Sequence, residues 1–184
     1  MDGTSTRILL ATAGAGAVPE IGDFFEGGYV AGFITYTSGD PTHGLIYAPK
    51  GSYESSKQWK TTNSATSGTS STVDGAANTA NMADSSHPAA NYCAGLTIDG
   101  KSDWYLPAYD ELVEAYSNLN RNVAPISEFQ SGGSEEFTSS YYWSSTEDSS
   151  STIKAKLYHM RHGITDSFKK ANSFPVRPMR RFAL

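Results

Sequence analysis

An intramolecular disulfide is ruled out in this 184-residue chain, because Cys93 is its only cysteine. A loop-rich domain made for an oxidising compartment would usually carry bridges, so folding in a reducing cytoplasm is expected. Positive charge is also scarce. Fourteen Lys and Arg stand against nineteen Asp and Glu, a net charge of −5. Phosphate contacts need concentrated cations, so nucleic acid is not an expected partner. The one basic cluster, Arg177 to Arg181, falls in a predicted strand. No apolar run approaches the roughly 18 residues needed to span a bilayer, and membrane insertion is not expected. Residues 8–18 (ILLATAGAGAV) faintly imitate a secretion signal, but Asp2 spoils the basic start and only Ile8, Leu9 and Leu10 are bulky. No heptad or shaft repeat specifies a fibre.

What the chain has in quantity is aromatic and small polar residues: 11 Tyr, 8 Phe and 3 Trp, with Gly, Ser, Thr and Asn around them. That mixture suits one loop-rich domain with a substantial core. Residues 1–21 have the Gly/Ala/Thr composition of an arm, and residues 22–184 carry the patterning of a folded domain. The best-signalled segment is Lys101 to Leu119. It predicts a short aromatic strand over Asp103–Leu106, then Pro107 as the first residue of an amphipathic helix. Ala108, Leu112, Ala115, Tyr116 and Leu119 make the apolar stripe of that helix, and Asp110 and Glu111 suit its positive end.

Around this segment the chain predicts a hairpin from Tyr29–Tyr36 and Gly44–Ala48, turning at Ser38–Pro41. The block 57–71 reads as a surface loop anchored by a buried Trp59. Asp74 is a candidate cap for a helix whose small-residue face is Ala76, Ala77, Ala80 and Met82. A second short helix follows from His87 to Ala94. Ile126–Gln130 reads as a brief helical turn. Strands are predicted over Thr138–Glu147, Thr152–Met160, Ile164–Lys170 and Phe174–Phe182, the last irregular at Pro175 and Pro178. In Thr152–Met160, Ile153, Ala155 and Leu157 point one way, and Lys154, Lys156 and Tyr158 the other. Hairpin, helices, then strands is an α+β layout.

Trp104-Tyr-Leu-Pro107 with Glu111-Leu112, Tyr142-Trp-Ser-Ser-Thr-Glu147 and Val176-Arg-Pro-Met-Arg180 occur in an order that resembles a family of bacterial and phage C-type-lectin-like domains. These are found in tail fibres and surface adhesins. Gly27–Gly32, Gly44–Pro49, Asp74–Ala80 and His87–Ala90 resemble the phage branch, and the likeness covers roughly residues 22–182. It implies short helices on twisted antiparallel sheets with long loops. Two motifs of related proteins are missing. Glu-Pro-Asn, Gln-Pro-Asp and Trp-Asn-Asp, used in calcium-dependent sugar binding, do not occur. Formylglycine-generating enzymes share a similar strand-to-helix junction, but their chemistry needs a cysteine pair.

Several residues have a structural interpretation beside any functional one. Trp104, Leu106, Leu112, Trp143 and Val176 read as core, Cys93 as a small buried residue, and Glu111 as a cap or the partner of Arg177 or Arg180. No His, Asp and Ser fall in a catalytic spacing. No cofactor, metal or catalytic residue is expected.

The resemblance implies a non-enzymatic phage virion surface protein, assembled in the bacterial host cytoplasm. Its job would be receptor binding at the tail or decoration of the capsid. The arm would dock on other virion proteins, and the domain would meet a host surface glycan or protein. A homotrimer fits both settings. The resemblance puts the recognition face in the last third, with ligand-binding candidates Tyr141, Glu147, Asp148, Tyr158, His159, Arg161 and His162. Tyr158→Ala and Arg161→Ala are expected to weaken binding with the melting temperature nearly unchanged. The rival is a glycan hydrolase using two of Glu135, Glu136, Glu147 and Asp148 across a cleft.

Overall fold

A computed structural model of the protein describes residues 17–36 and 39–184. Most of the proposed arm (residues 1–16), the signal-like stretch as far as Gly16, and Ser38 of the hairpin turn lie outside the described residues. At the arm's inner end, Ile21 packs against the main core.

The architecture is α+β, with every strand pairing antiparallel. Strands β1 (Phe24–Phe25), β2 (Gly28–Ile34), β3 (His43–Tyr47) and β9 (Met179–Ala183) form one sheet in the order β1-β2-β3-β9. A two-stranded ribbon joins β4 (Ser55–Gln58) to β8 (Ser173–Val176). A third sheet runs β5 (Tyr141–Glu147), β6 (Lys154–His159), β7 (Ile164–Lys169). The helices are α1 (Lys50–Tyr53), α2 (Gly75–Ala80), α3 (Pro88–Ala94) and α4 (Tyr109–Leu119). The predicted opening hairpin is β2 and β3.

Helix α4 is the centrepiece of the larger core. Leu112, Ala115 and Leu119 recur at helical spacing and are buried with Ala31 and Leu45 of the first sheet and Tyr142 and Tyr158 of the third. A second core gathers Trp59, Trp143, Leu157 and Val176 around Ala89, Ala90 and Cys93 of α3. Trp104 seals a third against Ile46 and Ile98. The core positions read from the sequence, Trp104, Leu106, Leu112, Trp143 and Val176, are all buried, as are Trp59 and Cys93. Burial pushes the Cys93 thiol far above its ordinary value, which suits an inert packing residue.

The junction before α4 differs from its sequence expectation. Residues 103–106 form no strand; Tyr105 makes a single bridge to Met179, at 2.7 and 2.9 Å. The Leu106 N–H and C=O instead meet the Thr79 hydroxyl of α2, so a helix takes the groups a neighbouring strand would have used. The helix opens at Tyr109, and Pro107 lies before its cap, Ala108.

Three of the free N–H groups of that first turn are engaged outside the helix ladder. Ala108 donates to Glu111 Oε2 at 2.7 Å, the return half of a capping box. Tyr109 donates to Thr146 Oγ1 and Asp110 to the Thr72 carbonyl. Among the described residues Glu111 pairs with no arginine. Its other oxygen accepts from Tyr105 and Tyr36 at 2.8 and 3.0 Å. Arg177 pairs with Glu135, and Arg180 with Glu26 and Asp103, so the basic cluster is internal pairing.

Asp74 caps α2 as predicted, accepting from the Ala77 N–H, but the expected face of Ala76, Ala77, Ala80 and Met82 holds only in part: Met82 is buried and Ala76 packs on the main core. Gly75, Asn78 and Thr79 are buried while Ala77 and Ala80 face solvent. Asn78 bonds Ser71 and Ser145, and hydrogen bonding decides the orientation where alanine offers little area. Gly75 presses on Glu111 and Ala108 so closely that any Cβ would collide.

The closing segment is two strands. At Arg177-Pro178 the chain passes from the ribbon to the first sheet, because Pro178 cannot donate and the Arg177 guanidinium turns inward to the Ala48 carbonyl and Glu135. The predicted turn at 126–130 is present as non-helical turn.

Candidate functional site

The Tyr-Trp-Ser-Ser-Thr-Glu stretch makes an irregular strand. Trp143 lies opposite Leu157, but the next pair is Glu147 opposite Ala155, four steps on β5 against two on β6. The extra residues bulge away from the ladder and are buried. The Ser144 hydroxyl still donates to the Lys156 carbonyl of β6, but the groups after it bond outside the sheet: Ser145 N–H to the Pro107 carbonyl, Thr146 Oγ1 to the Ser71 carbonyl, Glu147 N–H to the Thr69 carbonyl. The bulge thus ties β5 to the base of α4 and to loop 59–74. Ser144, Ser145 and Thr146 are scaffold.

Where β5 leaves β6, a cleft of about 220 Å³ opens. Its wall includes Ser70 and Thr72 from the loop, Glu147 and Asp148 at the end of β5, Ser149 and Thr152 after it, and Lys156 of β6. The Lys156 ammonium rests 4.9 Å from the centre of the Tyr109 ring. It has no ion pair among the described residues, and the side-chain hydroxyls of Ser70, Thr72, Ser149 and Thr152 have no protein hydrogen bond there. The two carboxylates are already engaged. Glu147 accepts from the Thr66 N–H at 2.7 Å and pairs with buried Lys170. Burial pulls the Lys170 ammonium down and Glu147 partly restores it. For Asp148, the upward push of burial is outweighed by hydrogen bonds from Ser150, Ser167 and the Ser151 N–H, which hold it at about 2.

The seven residues singled out from sequence separate into two groups and one core residue. Glu147 and Asp148 border the cleft. Tyr141 and His159 lie opposite one another at the far end of the same hairpin, with ring centres 4.8 Å apart, and His162 stacks on His159 at 4.6 Å. Burial, then the nearby charge of His162, lowers the His159 pKa. Arg161 is exposed on the intervening turn. By strand alternation, Lys156 faces α4 and His159 the opposite side, so the cleft and the histidine stack are not one surface. Tyr158 belongs to the core: it is 7% exposed and packs edge-on against Tyr109 and Tyr116. The expectation that Tyr158→Ala would spare stability is therefore corrected.

Lys156, Ser70, Thr72 and Thr152 were not singled out from the sequence. The signal available was the density of Ser and Thr on two segments, 61–72 and 149–152, which alone looks like solvated loop. Among the described residues no group of three or more His, Cys, Asp or Glu is placed to hold a metal, and no helix is long and apolar enough to cross a membrane.

Residues 40–180 match the family described as the Lcl C-terminal domain. The chain belongs to this family. The match spans the Trp104–Pro107 junction, the bulged β5 and the Val176–Arg180 passage between sheets, so the motifs that resembled C-type-lectin-like domains lie inside it. In this Lcl C-terminal domain the first two motifs meet at the base of helix α4, where Ser145 and Thr146 bond Pro107 and Tyr109, and the third carries the chain from the ribbon into the first sheet. No curated protein matches the chain.

Proposed function

We propose that this domain is a non-enzymatic, lectin-like binding module on a phage virion surface, and that it recognises a glycan of the host cell through the cleft beside the β5 bulge. The observation that carries the binding assignment is the cleft itself. A rigid junction holds one ammonium and four hydroxyls around a hollow, with their hydrogen-bonding capacity unused by the protein. Polar groups converging on a concavity are what a ligand site requires, and Ser, Thr and Tyr give adaptable hydrogen bonding at low entropic cost. The virion setting, in tail or capsid, rests on the motif resemblance.

The hydrolase alternative has less behind it. Glycoside hydrolysis needs one carboxyl kept protonated as general acid. Glu135 is committed to Arg177, and Glu136 is held low by the Gly132 N–H and then by Arg121. Asp148 is also held low. Among the described residues the carboxyl whose pKa burial raises is Glu111, and it is sealed in the interior at the start of α4.

Fluorescently labelled protein added to host cells, and separately to undecorated capsids, tests the proposal. Saturable binding to cells, competed by purified host polysaccharide, is expected of a tail receptor-binding protein. Stoichiometric capsid binding would place it on the shell. Binding to neither, or reducing-sugar release from the polysaccharide, would overturn it.

A further inference from the structure

We propose that the cleft takes a single neutral sugar residue, gripped through neighbouring hydroxyls without a metal ion; this rests on the lectin-like assignment above. The volume sets the ligand's size. About 220 Å³ lies below the roughly 300–1,000 Å³ typical of drug-sized ligands, which leaves room for one ring with the rest of the glycan outside.

The charge sets its class. Glu147 is neutralised by Lys170, and Asp148 offsets Lys156 across the cleft, so there is no surplus positive charge to hold a phosphate, sulfate or uronate. The start of α4 offers an anion nothing either, since Glu111, Thr146 and the Thr72 carbonyl already hold its N–H groups. An apolar ligand would strand the hydroxyls. A metal-bridged diol lacks its ligand set among the described residues.

What remains complementary is a polyol. The Lys156 ammonium, braced over the Tyr109 ring, donates to one sugar oxygen. Ser70, Thr72, Ser149 and Thr152 each donate or accept as the ligand requires. Glu147 and Asp148 serve as boundary and secondary acceptors, because Lys170 and the serines already claim their oxygens.

The test is titration of the intact chain, by calorimetry and ligand-observed NMR, with glucose, galactose, mannose, N-acetylglucosamine and glucuronate, with and without EDTA. At least one neutral sugar is expected to bind with EDTA present, and glucuronate to bind more weakly. Lys156→Ala should weaken binding about tenfold or more, as loss of a charged hydrogen bond does. Thr152→Val should cost about two- to fivefold, and both variants should keep the parent melting temperature. Tyr141→Ala, across the hairpin, should leave sugar affinity unchanged. Binding that needs calcium, prefers glucuronate, or survives Lys156→Ala while falling in Tyr141→Ala would overturn the site and leave the lectin assignment standing. If neither these sugars nor host polysaccharide binds, the lectin assignment itself fails.

Discussion

Two glutamates stand in the two most recognisable motifs of the chain, and their surroundings give them opposite roles. Glu111 is fully buried beneath α4, where its oxygens accept from two tyrosine hydroxyls and the Ala108 N–H. No cation pairs with it among the described residues, and burial lifts its pKa to about 7 despite those three bonds. Glu147, at the end of the bulge, is paired with Lys170 and borders the cleft. A carboxylate in a family motif is thus a structural rivet in one place and the rim of a cleft in another. Burial and the nearest cation decide which.

The sharpest way to break this contrast is Glu111→Ala, which leaves two buried donors, Tyr105 and Ala108, unsatisfied at roughly 1–3 kcal/mol each and frees the half-buried Tyr36 hydroxyl. A loss of about 4 kcal/mol or more in urea unfolding is expected; a change below about 1 kcal/mol would mean the junction is not held as described. Tyr158→Ala comes next. Its ring lies inside the larger core, so truncation should cost about 3 kcal/mol and lower the melting temperature, whereas a surface ligand residue would leave both unmoved.

The pH dependence of stability extends the contrast to Asp148, the cleft-side neighbour of Glu147. Glu111 in the folded protein holds its proton up to about pH 7, whereas in the unfolded chain it releases it near the ordinary 4.5. The folded state therefore binds the extra proton between those values. The stability this supplies is complete below about pH 4.5 and declines as pH rises through 7, by roughly 3 kcal/mol in all. Asp148 has the opposite sign: its pKa is lowered, so its contribution is present above the ordinary carboxylate range and fades as pH falls towards about 2. Glu111→Gln, a mimic of the protonated acid, should flatten the fall between pH 4.5 and 7 and leave the acid limb in place. An unchanged slope in urea melts across that range would contradict the buried-acid account. The smallest effect belongs to the cleft. Lys156→Ala should alter stability by no more than about 0.5 kcal/mol, as surface substitutions do, and a larger drop would make Lys156 part of the scaffold.

Much of the scaffold was legible because periodicity and capping chemistry are local. The β2–β3 hairpin, the Asp74 cap, α3, α4 and the buried tryptophans follow from residues near in sequence. What escaped is long-range pairing. The Leu106 backbone meets Thr79 across 27 residues, which turned a predicted strand into a single bridge. Arg177 finds Glu135 across 42, which helped split the closing strand. The site was legible only in outline. Glu147 and Asp148 do border a cleft, but strand alternation put Tyr158 on the face that α4 covers, and nothing in the sequence announced where that helix would lie. Lys156 shares that face, two residues earlier in β6, just beyond the covering.

The irregular stretch of β5 has a consequence for how the gene can tolerate change. Four steps against two are both even numbers, so the strand resumes after its detour with the same sides inward as before. Losing one codon between Ser144 and Thr146 would turn every later side chain of β5 over. Losing two would keep the sides right yet cut the moorings to α4 and the loop, giving a chain that still folds its hairpin but no longer shapes the hollow beside it.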